Sequence, residues 1–512
     1  MADPIVPFAL SAPGFYGLNL ADSPVELSPN FALEANNCVI DRAGRIASRQ
    51  GWTKANTTST DLGTEFVECM GELIENSGTA TTLCAGNGFL FKLASGALTT
   101  LTYGGGGVAP TISANNWQFC QLNGVAIFWQ EGYDPLIYDP AVSTTTFRRL
   151  NEKTGTVGSI PQCNASISAF GRVWAAGTTS DKQTIAFSDL LAPHIWSTGT
   201  SGTLDVSTVW AKGGDTITAL ASHNNYLIVF GRKQILIYQG ATSPSTMMLS
   251  DTIVGVGCIA RDTIQATGTD LLFLSDAGVQ SLQRVIQEKS APVVQISGNV
   301  REDIQAYVTA ESGVIKSGFS AVHQLYLLTF TTANITYCFD TRAPLQNGSL
   351  RVTVWPQYTS RSFLETVGRK FYIGKPGAIA AYGGYIDDTS TYRMTYFTSW
   401  IDFGNPIQTS ILKRIIATLI GGAQRDVVFK WAYDFSRTYY SSVVNIGGGN
   451  TAEFNIAEYN DVWEYTPGVE INRLQVPGAG SGRVLQFGFD TIINNRLINV
   501  QKIEIYTKEG RI

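Results

Sequence analysis

The chain has 512 residues, 44% of them apolar, so it can bury a large core or several smaller ones. Only 15% are charged, against the ~25% usual for soluble domains. The formal net charge of −5 argues against a dedicated nucleic-acid binder, which would carry a basic stripe.

Gly is abundant (51 residues), and Ser and Thr are frequent, which suits many turns and short strands. A low surface charge also suits a protein largely covered by partners, because interface cores are depleted in charge. The N-terminus, Met1-Ala-Asp-Pro-Ile-Val-Pro7, has no basic or apolar leader pattern, so no signal peptide is expected. No run of about 18 apolar residues predicts a membrane helix. Leu325 to Phe339 is the most apolar stretch, and its interspersed Thr residues mark it as strand.

Residues 1–62 read as a loop-rich arm. It ends in a hairpin over Asp41-Arg-Ala-Gly-Arg-Ile-Ala-Ser-Arg-Gln-Gly-Trp52, able to wrap a neighbour or to close a ring. A short helix is predicted around Pro29–Asn36, with Ser28 as its cap, and another over Asn299–Ala310, capped by Asn299.

From residue 63 to 390 one unit recurs: an apolar strand, a tight polar or Gly turn, and a second apolar strand ending in an aromatic. The hairpins span Thr82–Leu93, Gly124–Asp139, Gly171–Ser188, Asn225–Tyr238, Asp270–Leu282, Gln324–Asp340 and Lys370–Tyr382. Their turns are spaced by roughly 40 to 60 residues, the period of propeller blades. The first strand of each hairpin is nearly all apolar, as a strand covered on both faces must be. The expectation is an all-β fold: a β-propeller of six to eight blades. An ordinary β-sandwich array, or a set of unrelated β-domains, is the competing reading.

Residues 391–512 change character. Longer alternating strands are predicted at Thr395–Phe403, Ile411–Leu419, Val427–Tyr433, Thr438–Val444, Arg483–Phe489 and Val500–Thr507. Gly447-Gly-Gly449 and Pro477–Gly482 read as turns or flexible loops. The whole suggests a β-sandwich-like region.

Reactive constellations are not found. The seven cysteines (Cys38, Cys69, Cys84, Cys120, Cys163, Cys258 and Cys338) are widely spaced and odd in number, which fits buried free thiols in a reducing cytoplasm. His194, His223 and His323 are far apart, without ligand spacing. Gly255-Val-Gly-Cys-Ile-Ala260, with Asp276 behind it, matches a dinucleotide fingerprint but lacks a following helix, so a turn between blades is the better reading. Gly104–Gly107 lacks the Lys-Ser/Thr of a P-loop. Asp387-Asp388 fits Asx turns. Arg148-Arg149, Arg232-Lys233 and Lys413-Arg414 fit strand-edge guards or interface charges. Trp129, Trp174 and Trp400 sit in strand patterns and are expected in the core. No catalytic, cofactor-binding or metal residue is assigned, no cofactor is expected, and the chain is not read as an enzyme.

Three stretches carry a family resemblance. They are Phe170–Ala175 with Ile185–Trp196; Asn225–Gly240 with Val254–Ala260 and Leu271–Ser275; and Gly482–Phe489 with Ile503–Tyr506. They resemble the tail nozzle (tail stabilisation or accessory) proteins of short-tailed bacteriophages, over residues 160 to 512. The resemblance implies a structural virion protein: a homo-hexameric ring below the adaptor ring. That ring would extend the DNA exit channel and hold a needle, plug or fibre protein. DNA would be only in transit, no membrane would be entered, and the protein would be made in the bacterial host cytoplasm. Two other readings remain open at this point: a receptor- or glycan-binding propeller of the tail, and a propeller polysaccharide hydrolase or lyase.

Overall fold

The computed structural model describes residues 5–283, 295–403, 409–421, 425–446, 451–452, 464–465 and 471–510. It is all-β, with six four-stranded blades and one narrower three-stranded sector arranged as a propeller. The first blade is Cys69–Ile74, Ala80–Gly86, Phe89–Ala94 and Ala97–Thr100; the second is Gln118–Leu122, Val125–Trp129, Leu136–Tyr138 and Thr146–Arg149. The third is Cys163–Ala169, Arg172–Thr178, Thr184–Phe187 and Gly202–Asp205; the fourth is Ile217–His223, Tyr226–Gly231, Gln234–Gln239 and Met248–Val254. Gln265–Ala266, Leu271–Ser275 and Gly278–Ser281 form the narrow sector. Ile315–Ser320, Leu325–Phe330, Ile335–Asp340 and Arg351–Pro356 make the fifth blade. Phe363–Glu365, Phe371–Lys375 and Ala378–Tyr382 supply three strands of the sixth.

Six of the seven hairpins predicted from the sequence are the middle pair of strands of a four-stranded blade, and the seventh, Asp270–Leu282, is the second and third strands of the narrow sector. The reason lies in the two-residue side-chain period of a strand. Along Val125–Trp129, Ala126 and Phe128 pack toward the first blade, while Ile127 and Trp129 pack toward the third. Leu227 and Val229 face the third blade; Ile228 and Phe230 face the narrow sector. Leu325 and Leu327 meet Phe371 and Ile373 of the sixth blade, and Tyr372 and Ile379 meet Met70 and Cys84 of the first, which closes the circle. With both faces covered, alternation disappears and the strand becomes uniformly apolar. Fully burying each such side chain contributes about 1.5–3 kcal/mol. Asn87-Gly88, Asn123-Gly124 and Asn224-Asn225 turn the chain with both residues at positive φ, as tight hairpins of matching twist require.

The fourth strand of the sixth blade comes from the N-terminal segment: Trp52–Lys54 pairs with Ala380–Tyr382. Chain start and propeller end are thus hydrogen-bonded together, leaving no open sector. Just before this strand, Gly51 donates its N–H to Gly384 O at 2.9 Å. A Cβ at Gly51 would lie 2.0 Å from the Ile386 carbonyl oxygen. Gly51→Ala is therefore expected to cost about 1–3 kcal/mol through overpacking, read as a lower midpoint in urea unfolding.

The rest of the N-terminal segment joins the C-terminal region. Ile5–Ser11 pairs with Ile498–Glu509, and Cys38–Ile40 and Ile46–Ser48 extend the same sheet. That sheet also contains Ser410–Gly421 and Ile471–Pro477. It packs on a second layer of Phe31–Asn36, Tyr392–Thr398, Val484–Ile493, Arg425–Tyr433 and Tyr440–Ile446, with Ile415, Ile503 and Ile505 sharing a core with Phe429 and Phe487. The second layer continues into the fifth blade through Gly17–Leu18 and Arg351–Pro356, so propeller and sandwich share one 11-stranded sheet.

Three local expectations are corrected. Phe31–Asn36 is a strand, not a helix: it pairs with Tyr392–Thr398 and Gly17–Leu18, and tertiary pairing overrides its Ala- and Glu-rich helix propensity. The helix expected over Asn299–Ala310 is Arg301–Ala310, with Val300 rather than Asn299 at its N-cap. Trp129 and Trp174 are buried, but Trp400 is half-buried between strands against Phe435. The Pro477–Gly482 loop is pinned, since Trp431 Nε1 and Tyr433 Oη both donate to Ala479 O. Gly447–Gly449 lies outside the described residues.

Candidate functional site

Two places concentrate buried charge: the propeller axis, and a cleft between the sixth blade and the sandwich.

At the axis, the short 3₁₀ turn Arg261–Thr263 opens the narrow sector. Arg261 reaches away from its own sector. Its guanidinium donates to the Asn164 carbonyl and side chain on the third blade, and to Trp117 O at the entry of the second, 3.1 Å away. A side chain that joins the narrow sector to the second blade, past the third and fourth, must cross the centre of the ring. Asp262 then bonds Arg261 Nε at 2.9 Å and Lys316 Nζ at 2.6 Å, on the innermost strand of the fifth blade. Burial alone would raise the Asp262 carboxyl, but the two cations hold it well below the usual carboxylate range. Cys69 and Cys163, from innermost strands of the first and third blades, lie within electrostatic reach of Arg261. The axis is therefore plugged by an ionic knot that ties non-adjacent sectors.

In the cleft, Arg49 leaves the N-terminal segment and grips Asp387 with both terminal nitrogens, at 2.8 and 2.6 Å. Its Nε donates to Asn37 Oδ1 at 2.9 Å. The guanidinium lies 3.9 Å from the Tyr392 ring centroid and 4.5 Å from that of Tyr358. Asp388, the next carboxylate, pairs with Lys54 at 3.2 Å. Asp387-Asp388 does lie in a turn, with Asp387 and Ser390 exchanging backbone hydrogen bonds, but its two carboxylates also clamp the N-terminal segment to the propeller.

Lys375 lines the same cleft. Its ammonium is 3.6 Å from the Tyr358 centroid and donates to Thr359 O at 2.8 Å. Burial and the neighbouring Arg49 charge pull its pKa down to about 7, against a weaker opposing pull from Asp387. An unfolded lysine titrates near 10.4. Below pH 7 the fold carries the full penalty of a buried charge. Between pH 7 and about 10.4 the unfolded chain binds the extra proton, so this contribution to stability rises with pH. Lys375→Met should be more stable than the parent at pH 6, with the difference fading by pH 10, as followed by urea unfolding at both pH values.

The remaining candidates stay apart. His194 is near Lys153, His323 packs on Tyr382, and His223 ends a strand of the fourth blade. No His, Cys, Asp or Glu cluster suited to a metal ion occurs among the described residues. All seven cysteines are buried and unpaired, and burial pushes each thiol up, Cys69, Cys120 and Cys258 to about 12. Gly257 lies against the backbone of Gly231 and Arg232 in the loop after the fourth blade, followed by the 3₁₀ turn Arg261–Thr263 and not by an α-helix. Gly104–Gly107 follows the short strand Thr102–Tyr103. Arg149 pairs with Asp134 and Glu152, Arg232 and Lys233 donate backbone N–H groups to Asp215, and Arg414 covers the Tyr506 ring. No described helix is long and apolar enough to cross a membrane.

No family model matches the chain, and no curated protein matches it. Solved structures do. The WD40 β-propeller domain of Doa1 is 10% identical with a TM-score of 0.37, over 65% of this chain and 96% of that one. The Neurospora crassa Pan2 WD40 domain is 12% identical with a TM-score of 0.35, over 66% and 95%. The extracellular domain of a one-component system from B. thetaiotaomicron is 11% identical with a TM-score of 0.41, over 87% of this chain and 63% of that one.

Neither charged cluster was anticipated from the sequence. Arg261 and Asp262 follow directly on the Gly255–Ala260 turn, and Arg49 lies within the predicted Asp41–Trp52 hairpin, with nothing local to mark them. The partners that define each cluster are remote in sequence, Asn164 lying 97 residues from Arg261 and Asp387 lying 338 from Arg49, so no local spacing signals them.

Proposed function

We propose that this protein is a structural subunit of a short bacteriophage tail, one member of a nozzle ring below the adaptor. The observation that carries the reading is mechanical. A propeller with a plugged axis is welded to a sandwich through one continuous sheet, giving a stiff wedge rather than a hinged pair of domains. In such a ring the passage for DNA runs between subunits, and each propeller is wall.

The sandwich offers surface for neighbours. Among the described residues, Tyr440–Ile446 and Ile471–Pro477 each pair on one side only, and they expose Val443 (61%) and Ile471 (69%). Exposed strand edges with apolar side chains are liabilities unless covered by another chain. Rings need head-to-tail contacts that close, and lasting ones often bury more than about 2,000 Å². The resemblance to tail nozzle proteins supplies the ring's place in the virion and its partners.

Negative-stain imaging of the purified protein, alone and with an adaptor ring, tests this. Sixfold rings, alone or on the adaptor, support the proposal. Monomers that never join the adaptor overturn it.

A further inference from the structure

The cleft beside the sixth blade encloses about 950 Å³, within the usual range for a small-molecule site. Four cations and two carboxylates line it: Arg49, Lys375, Arg393 and Lys430 against Glu34 and Asp387. Three of the cations already have carboxylates. Arg49 holds Asp387, while Arg393 and Lys430 share Asp490. Glu34 accepts from Asn36 and Thr395. Lys375 has no carboxylate; its one hydrogen-bond acceptor among the described residues is the Thr359 carbonyl.

Beside it, the Tyr358 hydroxyl is buried with no hydrogen-bond partner among the described residues, on a side chain only 1% exposed. Burial raises its pKa, so it remains a neutral donor. The cleft is thus lined by a buried ammonium that meets one carbonyl but no carboxylate, and by a buried hydroxyl without an acceptor among the described residues, a costly arrangement unless a ligand supplies acceptors. The rim adds flat apolar surface from Trp52 and Phe66 and amides from Asn334 and Gln357. Gln357 is held at a φ of 58°, a strained value for a non-glycine residue.

We propose that this cleft binds a small hydroxylated carboxylate of the uronic-acid class. Its carboxylate pairs with Lys375 and accepts from the Tyr358 hydroxyl. Its ring lies against Trp52 and Phe66, and its hydroxyls meet the rim amides. The pairing gives Lys375 the anion it lacks, so ligand binding favours the charged ammonium.

The test is calorimetric titration of the full chain with glucuronate, using glucose as the neutral counterpart. Saturable glucuronate binding without glucose binding is expected. Loss of a charge-assisted contact should weaken it at least about tenfold in Lys375→Met, and loss of one hydrogen bond severalfold in Tyr358→Phe. Tyr358→Phe removes a single oxygen that has no partner among the described residues and keeps the packing, so it tests the site independently of the lysine variant. No saturable binding by the parent, equal binding of glucose, or unchanged affinity in the folded variants would overturn the proposal.

Discussion

Arg261→Met is expected to lower stability by about 3–5 kcal/mol, the cost of breaking a buried ion pair and orphaning its partners. The substitution keeps most of the side-chain bulk, so little of the loss comes from a cavity. It strips the donor from two carbonyls, Asn164 O and Trp117 O, on different blades. It also leaves Asp262 with Lys316 alone. Because a quarter of the Asp262 side chain remains accessible, the lower half of that range is expected. Urea unfolding at pH 7 measures it.

The pH dependence has a definite sign. A carboxyl held low in the fold contributes stability that is complete above its unfolded pKa of about 3.9 and is lost as pH falls toward the folded value. The parent should therefore weaken steeply from pH 5 to pH 2. In Arg261→Met the folded Asp262 carboxyl moves back toward its ordinary value, so the same acid titration should be flatter.

The second large effect is at Arg49. Arg49→Met should cost about 3–5 kcal/mol, toward the lower end because the Asp387 side chain left without its cation is 19% exposed, and it also removes the donors to Asn37 and Gln50 O. Arg49→Lys should recover little, because a point charge cannot make the two-pronged contact with Asp387 while also covering the Tyr358 and Tyr392 rings as the guanidinium does. Adding Asp387→Asn to Arg49→Met should restore part of the loss, as the orphaned charge is gone. A double-mutant cycle by urea unfolding checks the coupling. The loss has a mechanical meaning: Arg49 lies three residues before the strand that closes the propeller.

These two arginines also mark what the sequence does and does not reveal. The hairpins were legible because sandwiching between blades writes an unbroken apolar run, as in Tyr226–Phe230, and tight turns write Asn-Gly. The sandwich strands were legible because one face meets solvent and the pattern alternates, as in Tyr440–Ile446. Phe31–Asn36 was misread because its partners, at 17–18 and 392–398, are remote and local propensity was all that remained to judge by. The identity of the closing strand, Trp52–Lys54, was hidden for the same reason. Its partner is over 300 residues away, and three residues hold no periodicity. Charged knots are harder still, since Arg261 looks like any turn arginine until the ring brings Asn164 and Trp117 to it.

A high-resolution cryo-EM map of the assembled ring tests the central claim most directly. The account predicts a side chain at Arg261 crossing each propeller axis, with the passage lined by surfaces where subunits meet. An open hole through each propeller, or DNA threaded along it, would contradict the account.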